Sequence, residues 1–243
     1  MNTNQTLEQL QELKLSGMKK SYQVLLDLPI DKQPEGHQLL SLLVQAEMQH
    51  RQLTRTDVLL KLGKLRYRAT LDQVICSAER NLTKNTIAML ADCNFIRRSE
   101  NVLITGASGC GKSYMACAIG NQACLMGHKT LYLNMNRFIE KIGQSKLDGT
   151  FIKLLNQLEK VKLLILDDFG LQPLSQNVRI ALLQILEDRY QSKSTIIASQ
   201  LPYKMWYDHI GEPTIADAII DRLAENANKI ELKGESLRKR KNP

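Results

Sequence analysis

Apolar positions through the first hundred residues recur at helical intervals. Leu7, Leu10, Leu13 and Met18, and later Leu39, Leu40, Leu43, Val44 and Ala46, fall at helical spacings. The spacing predicts a first helix over about 5–27 and a second over about 37–67. Between them runs Leu28-Pro29-Ile30-Asp31-Lys32-Gln33-Pro34-Glu35-Gly36, where proline removes backbone donors and glycine frees the backbone. No segment before residue 101 reads as a convincing strand. From there the period changes. Asn101-Val102-Leu103-Ile104-Thr105 is a short β-branched apolar run, followed by a glycine-rich turn and a helix over about 112–126. Further strands are expected at Lys129 to Asn134, at Leu163-Leu164-Ile165-Leu166, at Ser194 to Ser199 and at Lys229-Ile230-Glu231-Leu232. Helical segments separate them, among them stretches over about 176–191 and 214–227. Alternating strands and helices predict an α/β domain whose parallel five-stranded sheet is covered on both faces. An all-helical N-terminal domain precedes it, with the boundary expected between residues 70 and 71.

Composition narrows the class. The 243 residues are 43% hydrophobic and 24% charged, a globular mixture that excludes fibrous and disordered chains. No apolar run approaches the roughly 18 residues that cross a bilayer, so no membrane partner is expected. The polar start MNTNQTLEQLQELKL lacks a signal-peptide core. Five cysteines (Cys76, Cys93, Cys110, Cys117 and Cys124) without CxxC spacing argue against a disulfide framework or zinc site, and a cytoplasmic location is expected. The net charge of +8 favours polyanionic partners. Six of these cations, Arg51, Arg55, Lys61, Lys64, Arg66 and Arg68, crowd one stretch against a single acid, Asp57. Four more, Arg238, Lys239, Arg240 and Lys241, close the chain. Both runs fit phosphate contacts with little sequence selectivity.

The strongest chemical signal is Gly106-Ala107-Ser108-Gly109-Cys110-Gly111-Lys112-Ser113, which fits GxxxxGK[ST] between a strand and a helix. Glycines let backbone N–H groups converge on phosphate, and the following helix start, through Ser113 and Tyr114, adds partial positive charge. Lys112 is expected on the β- and γ-phosphates and Ser113 on Mg²⁺. Asp167 and Asp168 end the third strand, where ligand chemistry collects in parallel sheets. Asp167 suits the metal, and Asp168 suits orientation of the attacking water. Gln200, at the end of the fourth strand, suits the γ-phosphate or that water. Arg222, near the fifth strand, suits insertion into a neighbour's nucleotide site. Arg189 is a weaker candidate for that role, and Arg238 fits nucleotide sensing, DNA contact or plain surface.

These residues resemble the IstB family, the helper ATPases of IstA/IstB-type bacterial insertion sequences, and more distantly the DnaC helicase loaders. The likeness runs through LKLSGMKK, GASGCGKSYMACAIGNQAC, LLILDDFGL, STIIASQLPYKMW, and IADAIIDRL followed by KGESLRK. It implies an AAA+ P-loop NTPase that binds ATP and Mg²⁺, assembles with itself on duplex DNA and stimulates a transposase, IstA. It also implies that Lys112, Ser113, Asp167 and Asp168 lie in the ATP site and that Arg222 acts in trans. AAA+ relatives commonly carry Glu where this chain has Asp168, so slow hydrolysis is expected. The chain ends soon after Arg238, so the small helical lid of many AAA+ proteins is not expected. Two other readings remain open here: a helicase loader preferring single strands, and a small-molecule P-loop kinase. Few aromatics (5%) disfavour the first, and the absence of an arginine-rich lid disfavours the second.

Overall fold

The computed structural model describes residues 3–237. Backbone contacts divide the chain into two units, residues 1–58 and 59–243. In the first unit, α1 (Thr3–Glu12) and α2 (Ser16–Leu26) replace the single helix that periodicity predicts. Lys14, at φ 57°, turns the chain between them, and the apolar spacing runs through this break without marking it. Helix α3 (Gly36–Gly63) begins in this unit and continues past the division. Glu47 of α3 receives the Gly17 and Met18 N–H groups at 2.7 and 3.2 Å, which satisfies unpaired donors at the start of α2. A Cβ at Gly17 would lie 2.7 Å from the Cα of Glu47, so only glycine permits this approach. Gly17 of the LKLSGMKK stretch therefore has a packing role.

In the second unit the last turn of α3 ends at Lys64, another left-handed residue at φ 49°. That is earlier than the helix over 37–67 that the periodicity predicts. Helices α4 (Lys84–Ala91) and α5 (Asn94–Arg97) then lead into the sheet. Its strands are β1 (Val102–Gly106), β2 (Thr130–Asn134), β3 (Leu163–Phe169), β4 (Ser194–Ser199) and β5 (Asn228–Leu232). All pair in parallel, in the order β2-β3-β4-β1-β5. The connecting helices are α6 (Lys112–Leu125), α7 (Met135–Leu147), α8 (Phe151–Glu159), α9 (Gln176–Arg189), α10 (Trp206–Ile210) and α11 (Pro213–Ala224).

Strand alternation sorts the core into two layers. Val102, Ile104, Leu163 and Ile165 join α6 on one face, whereas Leu103, Leu164 and Leu166 join α7, α9 and α11 on the other. Burying both faces explains why these strands read as unbroken apolar runs. All five cysteines are free, and Cys117 and Cys124 are buried in α6, where burial pushes the Cys117 thiol up to about 11. Among the described residues no helix is long and apolar enough to cross a membrane.

Candidate nucleotide-binding site

β1 delivers the chain into the phosphate loop at the carboxyl edge of the sheet. Gly106, Gly109 and Gly111 take φ of 146°, 81° and 92°, a region that side chains avoid, so the loop curls back on itself before α6 begins. Lys112 opens that helix. Its side chain is 6% exposed, and its ammonium donates to the Ala107 carbonyl at 2.8 Å across the mouth of the loop. Cys110 is buried beneath, its sulfur 4.0 Å from the Lys112 Nζ.

The acidic pair is held by its neighbours. Asp167 is fully buried, and its Oδ1 accepts from the Ser113 hydroxyl at 3.0 Å and from the Asp168 N–H at 2.9 Å. Its Oδ2 accepts from the Tyr132 hydroxyl at 2.6 Å. Asp168 has φ of 61°, at a register irregularity between Leu166 and Phe169, and this turn lets both adjacent carboxylates serve one site. Asn134 donates to Asp168 Oδ2 at 2.6 Å, and the Arg66 guanidinium lies 3.5 Å from the same oxygen. Burial raises the Asp168 carboxyl above the ordinary range; the Asp167 charge adds to this, and Arg66, Asn134 and Lys112 oppose it.

A cavity of about 440 Å³ joins these groups. Ser108, Gly109, Gly111, Lys112, Ser113, Tyr114, Asp168 and Gln200 line it. Its other wall is apolar, from Val74, Ile75, Leu82, Leu232 and Leu237, with Tyr67 beside Tyr114 at 6.0 Å between ring centres. One end of the cavity thus suits phosphate and the other the flat face of a base. The segment that follows β5 lies against the loop: Leu237 donates its N–H to the Gly109 carbonyl at 3.0 Å, and Ser236 fills the space that a Gly109 side chain would need. Ser199 positions Gln200 by donating to the Phe169 carbonyl at 2.7 Å while accepting from the Leu201 N–H.

Other expected residues lie elsewhere. The carbonyl of Arg222 accepts from Asn101 at the start of β1, so this arginine sits at the sheet edge opposite the phosphate loop. Its guanidinium pairs with Glu187 and lies 5.8 Å from the Tyr190 ring centre. Arg189 is 2% exposed and spends its donors on the Leu158, Val161 and Ser194 carbonyls and the Thr195 hydroxyl. It staples α9 to the sheet and cannot project to a neighbour, which corrects its reading as a trans-acting candidate. Arg51, Arg55, Lys61, Lys64, Arg66 and Arg68 are all exposed residues. Arg51 pairs with Glu47, and Arg66 faces Asp168. Arg238, Lys239, Arg240 and Lys241 lie outside the described residues. Arg66 is expected from the sequence at DNA phosphates and instead faces Asp168, whereas no local motif marks Tyr132, Asn134 or the wall from 74 to 82.

The loop between β1 and α6, the acidic end of β3 and the strand order define an AAA+ P-loop domain. A solved structure of the DnaC helicase loader superimposes with a TM-score of 0.58 at 19% identity, covering 70% of this chain and 99% of that one. The chain belongs to the family of IstB-like ATP binding proteins, whose model matches residues 8–243. An insertion sequence ATP-binding protein of Sinorhizobium fredii (strain NBRC 101917 / NGR234), y4pL, is 40% identical over 98% of each chain. The ATP-binding protein of insertion sequence IS1162 from Pseudomonas fluorescens is 41% identical over 83% of this chain and 88% of its own.

Proposed function

We propose that this chain is a transposition helper ATPase that multimerises on duplex target DNA when ATP is bound and recruits its partner transposase. One observation supports this reading above the rest. The phosphate loop, acidic pair and Gln200 share one edge of the sheet, whereas Arg222 lies at the other, so only a second copy could bring an arginine of this kind to the nucleotide. ATP then becomes part of a subunit interface, and assembly multiplies modest DNA affinities. The exposed cations Arg51, Arg55, Lys61, Lys64 and Arg68, with the basic terminus, supply the phosphate contacts. The helical N-terminal part carries assembly and DNA contact, and the sheet-bearing part carries the nucleotide.

Mg²⁺ fits the site. Among the described residues no group of three or more His, Cys, Asp or Glu could hold a metal, but Mg²⁺ uses one or two protein ligands and takes the rest from phosphate and water. Ser113 and Asp167 are such a pair, and the ion would supply charge neutralisation for the phosphates. Asp168 takes the proton of the attacking water as its oxygen bonds to the γ-phosphorus and the bond to the bridging oxygen breaks. A carboxyl raised above its usual range is a better base, but it is lost to protonation sooner on acidification. Asp168→Asn should cost about 10²–10⁴-fold in phosphate release while ATP affinity stays within a few-fold. Full turnover in that variant would remove Asp168 from the chemistry.

The reading is tested by binding to long duplexes at matched salt with ATP, with ADP and without nucleotide. Cooperative binding is expected with ATP, with log K falling by about 0.9 per decade of salt for each phosphate neutralised. Equal affinity in all three conditions would overturn ATP-dependent assembly. Preference for single strands in competition would favour the loader reading.

A further inference from the structure

We propose that Arg80 is a second cation of the nucleotide site, contacting the phosphates of the bound nucleotide from beside the middle of the phosphate loop. The inference rests on the nucleotide reading above and adds a residue that no phosphate-binding motif contains. Arg80 ends a single 3₁₀ turn, Ala78–Arg80, and its side chain is only 8% exposed. Its Nη2 donates to the Cys110 carbonyl in the middle of the phosphate loop, and a Cβ at Gly111 would lie 3.3 Å from that nitrogen. Its Nε is buried with no hydrogen-bond partner, and among the described residues it has no ion-pair partner. It lines the same cavity as Ser108, Gly109 and Lys112.

A buried guanidinium without a counter-ion is tolerated when neutral acceptors take its donors, as they do at Arg189, but Arg80 leaves its Nε buried and unpaired, a cost that an anion in the cavity would relieve. The polyphosphate is the anion that this cavity is shaped to take. The position is also held firmly, as a contact residue requires. The Arg80 carbonyl accepts from the Lys233 N–H at 3.1 Å, and Asn81 donates to the Glu231 carbonyl at 2.9 Å. Arg80 is thus tied to the strand end and to the segment that lies against the loop, so phosphate contact there would also brace that segment.

The rival is a purely structural staple, in which Arg80 serves only the Cys110 carbonyl. Two variants of the full chain separate them. Arg80→Gln keeps a donor for that carbonyl and removes the charge; Arg80→Lys keeps the charge. Affinity for fluorescent ADP and the melting temperature without nucleotide are measured for each. A phosphate contact predicts that Arg80→Gln weakens ADP binding by at least about tenfold while Arg80→Lys loses clearly less. Arg80→Gln binding ADP as tightly as the native chain, or the two variants losing affinity equally, would overturn the proposal. Failure of the native chain to bind ADP or ATP would instead sink the nucleotide reading on which the proposal stands.

Discussion

Lys112→Ala is expected to weaken ATP binding by roughly 10- to 100-fold, the equivalent of one or two lost charge-assisted hydrogen bonds. The ammonium has three donors, and the Ala107 carbonyl takes one. A second reaches weakly toward the Cys110 sulfur at 4.0 Å, which leaves the third for phosphate. Among the described residues no carboxylate pairs with Lys112, so truncation strands no partner charge. The melting temperature without nucleotide should consequently stay within about 3 °C of the native value. Hydrolysis should suffer more than binding, by a further 10² or so, because the β- and γ-phosphate charge that Lys112 meets grows as the bond breaks. Nucleotide titration, phosphate release and melting, run side by side, distinguish these effects. Unchanged ATP affinity would place the nucleotide elsewhere.

What could be read in the chain was what depends on neighbours in sequence. The phosphate loop is one such feature, because a strand, a glycine turn and a helix start are all local and each carries its own signature. The placement of Asp168 and Gln200 at the cavity edge, with Asp167 buried behind Ser113, follows from the same logic, since parallel strands end where ligands bind. Strand positions matched closely for the same reason: burial on both faces leaves an apolar run that hardly depends on which strands are neighbours.

Groups supplied by distant elements were not legible. Tyr132 and Asn134 reach the acidic pair only because β2 lies beside β3, with Asn134 in register with Asp167. Nothing in the local pattern of β2 states that adjacency. The basic run is likewise less uniform than its sequence suggests. Its arginines look equivalent as a charge count, yet Arg51 has a carboxylate four residues away and Arg66 has one about a hundred residues away. Arg80 lies in a segment without apolar periodicity, and its meaning comes from a loop carbonyl thirty residues on. The break at Lys14 escaped because one left-handed residue shifts the chain without disturbing the spacing of leucines.

Mixing two inactive variants should restore activity. β1 has five residues at a rise of about 3.3 Å, so roughly 17 Å of sheet separates the base of Arg222 from its own phosphate loop, farther than its side chain reaches. An arginine that acts on ATP from that edge must act on another copy's ATP, across a head-to-tail interface. Its present partner, Glu187, does not bar this: the two side chains are 25% and 53% exposed, and such exposed, solvent-screened pairs are readily exchanged. Arg222→Ala alone should lower DNA-stimulated hydrolysis by about 10³-fold with nucleotide affinity largely kept. Lys112→Ala alone should be inactive for its own reason. In an equal mixture, half of the sites keep Lys112 and half of their neighbours keep Arg222, so about a quarter of native turnover should return. A mixture no more active than its parts would show that Arg222 does not complete a neighbour's site, and the proposed link between ATP and assembly would lose its structural basis.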